Sequence, residues 1–260
     1  MTAVLRNESG RLLRGSLTLS GLLGLLAAFF LLMFPTVEDE AQLIEEVYPA
    51  YILELLGIEA LATIEGFVAS YIFPFVWVLV AGIYFAYLGA GLIVRDVSDR
   101  RMDLLLATPV SRESVVLQKV GALWVPVVVL NVGVPIVVYV GALAIDESFD
   151  PIALAMVHLL SVPYLLVCAG IGLVVSVFVD HVRTARATAL SLTFGLWLVD
   201  IVSVLDPDYE WVGDLTPSRY YDPTAILVHE EYAYGDAGIL LAAFLVLVGL
   251  AVLIFTRRDL

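Results

Sequence analysis

Six long apolar segments limit what this chain can fold into more than any other feature. Each has about 20 residues or more and almost no charge, the length at which a helix crosses the roughly 30 Å hydrocarbon layer of a bilayer. Backbone groups in lipid must form hydrogen bonds within their own segment, so we predict that all six are helices. The segments are Ser16–Phe34, Phe67–Val94, Val120–Ile145, Pro151–Val179, Ala187–Leu205 and Ala237–Thr256.

The composition argues against a soluble domain. Of the 260 residues, 61% are hydrophobic and 15% are charged, whereas soluble domains average about 45–50% and about 25%. Too few polar residues remain to cover the surface of a soluble fold. We therefore predict an all-α, polytopic membrane protein in which residues 1–260 form a single transmembrane domain with six transmembrane helices.

The basic residues predict the orientation of the chain. Twelve of the 13 fall on one side of the six predicted spans, and only Arg219 falls on the other. Loops rich in Lys and Arg are typically cytoplasmic, so we expect both termini in the cytoplasm. The twelve residues are Arg6, Arg11, Arg14, Arg95, Arg100, Arg101, Arg112, Lys119, Arg183, Arg186, Arg257 and Arg258.

A basic amphipathic helix is predicted over residues 1–15, ahead of the first span. Apolar side chains such as Leu12 alternate there with Arg6, Arg11 and Arg14, a pattern typical of a helix that lies on the inner membrane face. The apolar run that follows is too long for a secretory signal and has no small-residue cleavage site, so we expect a retained helix.

The overall charge and the cysteine content exclude several classes of protein. A net charge of −14 argues against a nucleic-acid partner, because phosphate binding needs clustered Lys and Arg. Cys168 is the only cysteine, so neither an intrachain disulfide nor a zinc site built from several cysteines is possible. The acidic excess favours a salt-loving source such as a halophilic archaeon; a GC-rich genome with acidic outer loops is the alternative.

The loop over residues 95–119 carries the most specific pattern. Charges of both signs flank an apolar patch at Leu104–Ala107, Thr108 and Pro109 break the chain, and Ser111 can cap a new helix. A solvated loop gains nothing from three consecutive leucines, so we expect something to cover them. A docking helix for a cytoplasmic protein explains them, and a helix lying in the lipid interface is the alternative.

This loop resembles the inner loop of type-2 ABC transporter permeases. It reads DLLLATPVSR from Asp103 to Arg112, followed by VVLQK at 115–119. In that family an acidic residue precedes Leu-Leu, Ala or Ser, Thr or His, and Pro, and a Lys follows at the start of the third span. The order of amphipathic helix, six spans and loop agrees over the whole chain. The family usually has Gly-Thr before the leucines, where this chain has Arg100 and Arg101.

The resemblance implies a permease subunit, usually of an exporter, in the plasma membrane. It implies a second permease copy, in a homodimer or a heterodimer, and a separate cytoplasmic ABC ATPase. The chain has no Gly-x-x-x-x-Gly-Lys-Ser/Thr sequence, so we expect no catalytic residue and no cofactor here. The residues implied to couple to the ATPase are Asp103, Leu104, Leu105, Leu106, Ala107, Thr108, Pro109, Val110, Ser111 and Arg112.

Other functions remain as alternatives. A stand-alone secondary carrier or channel commonly has inverted repeats and polar residues at the bilayer midplane, and the sequence shows neither clearly. A membrane scaffold without transport activity is a further alternative.

Two polar residues inside predicted spans are candidates for a functional intramembrane site. Asp200 lies near the outer end of the fifth span, where a hydrated interfacial carboxylate is the alternative. His158 lies about two turns into the fourth span. A metal path through Met156, His158 and Cys168 is conceivable, but Met156 and His158 point to different helix faces, so no metal site is predicted.

Overall fold

The computed structural model of the chain describes residues 2–47, 60–107, 109–205 and 207–258. The predicted all-α fold is confirmed, because six helices are long and apolar enough to cross a membrane and no strand occurs in these ranges. In chain order the helices are α1 (Thr2–Val47), α2 (Ile64–Gly91), α3 (Val94–Ser98), α4 (Arg101–Leu106), α5 (Arg112–Gly121), α6 (Trp124–Ala144), α7 (Pro151–Phe178), α8 (Val182–Ser203), α9 (Glu210–Gly213), α10 (Pro223–Leu227) and α11 (Tyr234–Arg257).

The bundle has two chemically different ends. The start of α1, helices α3 to α5, the turn between α7 and α8 and the end of α11 lie at one end, which we call the basic end. The opposite end, the acidic end, carries the end of α1, the start of α2, the segment between α6 and α7, and helices α9 and α10. Helices α5 and α6 are separated by a short turn and together form the third span, Arg112–Ala144.

The first helix is longer than the sequence predicts. The predicted amphipathic helix at 1–15 and the first span are one continuous helix of 46 residues, with no break at residue 15. The Ser16 hydroxyl donates to the Leu12 carbonyl oxygen over 2.9 Å, and Gly15 by itself costs only about 1 kcal/mol in a helix. At about 1.5 Å per residue the helix is about 69 Å long, so it extends well beyond a hydrocarbon layer of about 30 Å.

Helix α7 forms the centre of the bundle. It packs against α2, α6, α8 and α11, while α1 packs mainly on α6. The closest approach is between α2 and α7, where a Cβ atom on Gly89 would lie 2.0 Å from the Ala169 carbonyl oxygen and one on Gly172 would lie 2.1 Å from that of Ala86. Only glycine fits at these two positions, as is common where membrane helices pack closely.

The middle of α2 is a π-helix over Val68–Ala81 with Pro74 inside it. Proline has no backbone N–H and interrupts the normal hydrogen-bond ladder of the helix. The Tyr164 hydroxyl of α7 donates to the Val78 carbonyl oxygen over 2.8 Å. Gly82 makes room for this contact, since a Cβ atom there would lie 2.6 Å from the Tyr164 hydroxyl oxygen. The wide turn in α2 is therefore held in place by α7.

Candidate coupling site

Helix α7 holds the start of the loop that the sequence singles out. The Ser176 hydroxyl oxygen of α7 accepts hydrogen bonds from the backbone N–H groups of Ile93 and Val94, each over 3.0 Å. These are donors that the first turn of α3 leaves without a partner in its own helix. The chain therefore leaves the second span and starts α3 at a position set by a buried side chain of the fourth span.

Helix α4 exposes the side chain of Leu104 and buries that of Met102. It starts after Arg100, whose backbone is left-handed (φ 54°, ψ 21°), a conformation that turns the chain sharply. Met102 is 1% exposed and fixes α4 to the bundle, whereas Leu104 is 72% exposed. Leu105 is half-buried and packs against the core. Among the side chains of α4 that the structure describes, Leu104 is thus the large apolar one that stands free, on a helix fixed to the bundle by Met102.

The described residues of the predicted coupling stretch differ in their exposure. Asp103, Ala107 and Pro109 are exposed and Val110 is half-buried. Ser111 caps α5 as the sequence predicts, since its hydroxyl oxygen accepts from the Ser114 N–H over 3.2 Å. Thr108 and the side chain of Leu106 lie outside the described residues.

Arg112 does not point away from the bundle. Its guanidinium group donates to the carbonyl oxygens of Phe255 and Thr256 over 3.3 and 3.5 Å, and also to that of Arg258. These carbonyls end α11, and a cation there also interacts favourably with the helix dipole. Arg112 therefore joins the start of α5 to the end of the last span, a connection across more than 140 residues that the sequence does not indicate.

The end of α11 is joined in turn to α7 and α3. Arg258 donates to the Val177 carbonyl oxygen over 2.8 Å and forms an ion pair with Asp180. The Asp180 carbonyl oxygen accepts from the Ser98 hydroxyl over 2.7 Å. Both ends of the loop region, α3 and α5, are thus hydrogen-bonded to the ends of the fourth and sixth spans.

A further connection is a buried charge cluster that we call the Lys119 cluster: Lys119, Asp96, Glu8 and Arg11. The Lys119 ammonium group, 1% exposed, forms ion pairs with Asp96 of α3 and, over 3.5 Å, with Glu8 of α1. Arg11 pairs with Glu8 from the other side. Glu8 and Asp96 are 3% and 6% exposed, so these charges are compensated almost entirely by one another. Sequence reasoning missed Glu8 and Asp96, because they meet only in the folded bundle.

An open groove lies between the first turns of α1 and helix α4. Its volume is about 1100 Å³, and its walls combine basic and apolar side chains. The lining includes Arg6, Asn7, Arg14, Arg101, Leu104 and Leu105. The exposed leucine therefore stands at the rim of a concave, positively charged surface, with the Lys119 cluster beneath it.

The two predicted intramembrane candidates are far from this site. His158 is 2% exposed and lies against the rings of Trp77 and Phe73, at centroid distances of 4.4 and 5.5 Å. Asp200 is half-buried near the acidic end, facing the hydroxyls of Thr216 and Ser218.

No metal-binding group forms around these residues. The Ser161 hydroxyl donates to the His158 carbonyl oxygen over 2.7 Å, and Cys168 lies ten residues further along α7, about 15 Å away along the helix axis. Across the described ranges, no three His, Cys, Asp or Glu side chains form a group that could hold a metal ion.

Comparison with known families decides the class of protein. The family described as ABC-2 family transporter protein matches residues 4–260. The chain belongs to this family. Since the match covers nearly the whole sequence, the ABC-2 chain is the membrane subunit of an ABC transporter, a multi-pass subunit that is not itself the ATPase. Comparison with curated proteins gave no match.

The Lys119 cluster of this ABC-2 subunit makes a prediction about stability. In Lys119→Met, the carboxylates of Asp96 and Glu8 stay buried without their shared cation. Breaking a buried ion pair in this way costs about 3–5 kcal/mol, so we expect a loss of that order in the free energy of unfolding. Denaturant unfolding in detergent micelles measures it.

The matched control is Arg101→Met, which breaks an exposed ion pair with Asp99 at 3.8 Å. Exposed pairs contribute about 0–1 kcal/mol, so this variant should unfold almost as the native chain does. Adding Asp96→Asn to Lys119→Met should recover part of the loss, because one unpaired charge is removed. Equal destabilisation by Lys119→Met and Arg101→Met would show that the buried cluster is not what holds α1 to the loop.

Proposed function

We propose that this chain is the permease subunit of an ABC exporter and couples to a separate cytoplasmic ATPase through residues 95–119. The observation that carries the proposal is Leu104, exposed on a helix whose flanking segments are fixed to three different spans. A flexible loop would absorb the motion of a bound partner. Helix α4 is instead held by buried Met102 and by the connections of α3 and α5.

The groove suggests the chemistry of the docked surface. Leu104 and Leu105 offer apolar contact, and Arg6, Arg14 and Arg101 surround them with positive charge. An ATPase surface with an apolar pocket and an acidic rim would complement both features. The coupling stretch expected from the sequence, Asp103–Arg112, contributes the central contacts, while the first turns of α1 add a second wall that the sequence did not suggest.

Motion would pass from α4 to the spans along the connections already described. A pull on α4 moves α3 and α5, and these move α1 through the Lys119 cluster, α7 through Ser176, and α11 through Arg112. A partner can shift the conformational equilibrium only if it binds two states with different affinity. Closure of the ATPase on ATP provides such a difference.

We infer that the basic end faces the cytoplasm, with both termini there, and that the subunit lies in the plasma membrane beside a second permease copy. The positive-inside rule supports the orientation. The second copy and the direction of transport, export, rest on the family resemblance.

The first test of the proposal is Leu104→Asp, measured by co-purification of this chain with an ABC ATPase subunit co-expressed with it. A charge at the centre of an apolar contact should weaken binding at least about tenfold, since the few hot-spot side chains of an interface contribute about 2 kcal/mol or more. Because Leu104 is exposed, the variant should fold normally.

Leu215→Asp is the matched control, because Leu215 is 70% exposed but lies at the acidic end. This variant should retain the ATPase fully. If Leu104→Asp binds the ATPase as well as Leu215→Asp does, docking at α4 is refuted.

The second test addresses orientation. Cys168 is buried, so a new exposed cysteine can be labelled selectively. Ala107→Cys at the basic end should react with a membrane-impermeant maleimide only after the cells are permeabilised. Leu215→Cys at the acidic end should react in intact cells. Labelling of Ala107→Cys in intact cells would place α4 outside the cytoplasm and rule out an ATPase partner there.

A further inference from the structure

Three arginines from separate elements converge on a second, smaller cavity at the basic end. Arg11 of α1, Arg95 of α3 and Arg186 of α8 line a space of about 180 Å³. They are near enough to interact electrostatically, with Arg186 under the influence of the positive charges of Arg95 and Arg11. A space of only about 10–15 Å³ suffices for one water molecule, so this cavity has room for a larger polar group.

The positive charge at this cavity is only partly compensated. The nearby carboxylates are Glu8, which pairs with Arg11 and Lys119, and Asp96, which pairs with Lys119. Two carboxylates therefore stand against four cations. Within the described part of the chain, Arg95 and Arg186 form no ion pair. Like charges that converge without counter-charges destabilise a site unless an anion is bound there.

Two of the arginines also lack hydrogen-bond acceptors. The Nε atoms of Arg11 and Arg186 are buried and have no acceptor in the described structure. Arg186 is nevertheless held in place, since its guanidinium carbon lies 3.9 Å from the centre of the Tyr87 ring, a cation–π contact. A positioned guanidinium with a buried unpaired donor lacks a hydrogen-bond acceptor, which a bound anion would supply.

Two glycines keep the space open. A Cβ atom on Gly91 would lie 3.3 Å from a terminal nitrogen of Arg186, and one on Gly15 would lie 3.4 Å from the Tyr84 hydroxyl oxygen. Larger side chains at either position would extend into the cavity. Tyr84 adds a hydroxyl to its wall, so the lining offers both charged and neutral hydrogen-bonding groups.

From these features we propose that the cavity binds a phosphate group, either of an anionic phospholipid or free in solution. A phosphate has several acceptor oxygens and matches the planar fork of arginine, which makes two parallel hydrogen bonds to it. Bound there, it joins α1, α3 and α8 at the base of the coupling region. Since Asp96 follows Arg95 directly, the phosphate would also fix the carboxylate that holds Lys119.

The experiment measures binding to the purified full chain in phosphatidylcholine nanodiscs. Three arms use phosphatidylglycerol added to the nanodiscs, sodium phosphate, and sodium chloride at matched ionic strength, with the thermal unfolding midpoint and native mass spectrometry as readouts. We expect phosphatidylglycerol or phosphate to raise the midpoint, and chloride not to. A response to phosphatidylglycerol alone identifies a lipid headgroup, and a response to sodium phosphate identifies a site for the free anion.

Variants locate the site. Arg186→Gln and Arg95→Gln should each weaken binding about tenfold or more, the effect of losing a charge-assisted hydrogen bond. Arg183→Gln is the matched control, because Arg183 is an exposed arginine one turn earlier in the same helix, and it should bind as the native chain does. If Arg186→Gln does not fold, Arg186→Lys is measured in its place, because it keeps the positive charge but loses the planar fork of arginine.

The proposal is overturned if neither phosphatidylglycerol nor phosphate raises the midpoint. It is equally overturned if Arg183→Gln loses as much binding as Arg95→Gln and the Arg186 variant, since the effect would then reflect overall surface charge.

Discussion

A lysine ammonium group buried between two carboxylates holds the basic end of this bundle together. Lys119, Asp96 and Glu8 come from α5, α3 and α1, and their side chains are nearly inaccessible to water. Taking such charges out of water is costly, and each is tolerated only while its partners stay in place. The loop after the second span and the first turns of the chain therefore depend on each other to stay in their folded positions.

Two further connections fix the same loop to other spans. Ser176 fixes where α3 starts, and Arg112 joins the start of α5 to the end of α11. Between these fixed points α4 buries Met102 and exposes Leu104. An exposed apolar side chain on a firmly held helix suits a contact that must transmit force. In an ABC-2 membrane subunit this arrangement explains how a short helix at the basic end could move several spans together.

The sequence predicts what depends on local pattern. Apolar length predicts six helices, and the cap at Ser111 is predicted by its position after the Thr108-Pro109 break with Glu113 in the following turn. The continuous helix α1 was not predicted, because a change from amphipathic to apolar pattern resembles a boundary although nothing there breaks a helix. The roles of Glu8, Asp96 and Arg112 were not predictable, since each partner lies far along the chain. Transport direction and a salt-loving source stay predictions.

Hydrogen–deuterium exchange of the native chain and Lys119→Met tests the mutual dependence of α1 and the loop most directly. Amides that open together exchange together. If the cluster binds the two segments as one unit, Lys119→Met should speed exchange in residues 3–15 and in residues 112–121 alike, while Arg101→Met should change neither. Faster exchange in only one segment, or in neither, would contradict the account.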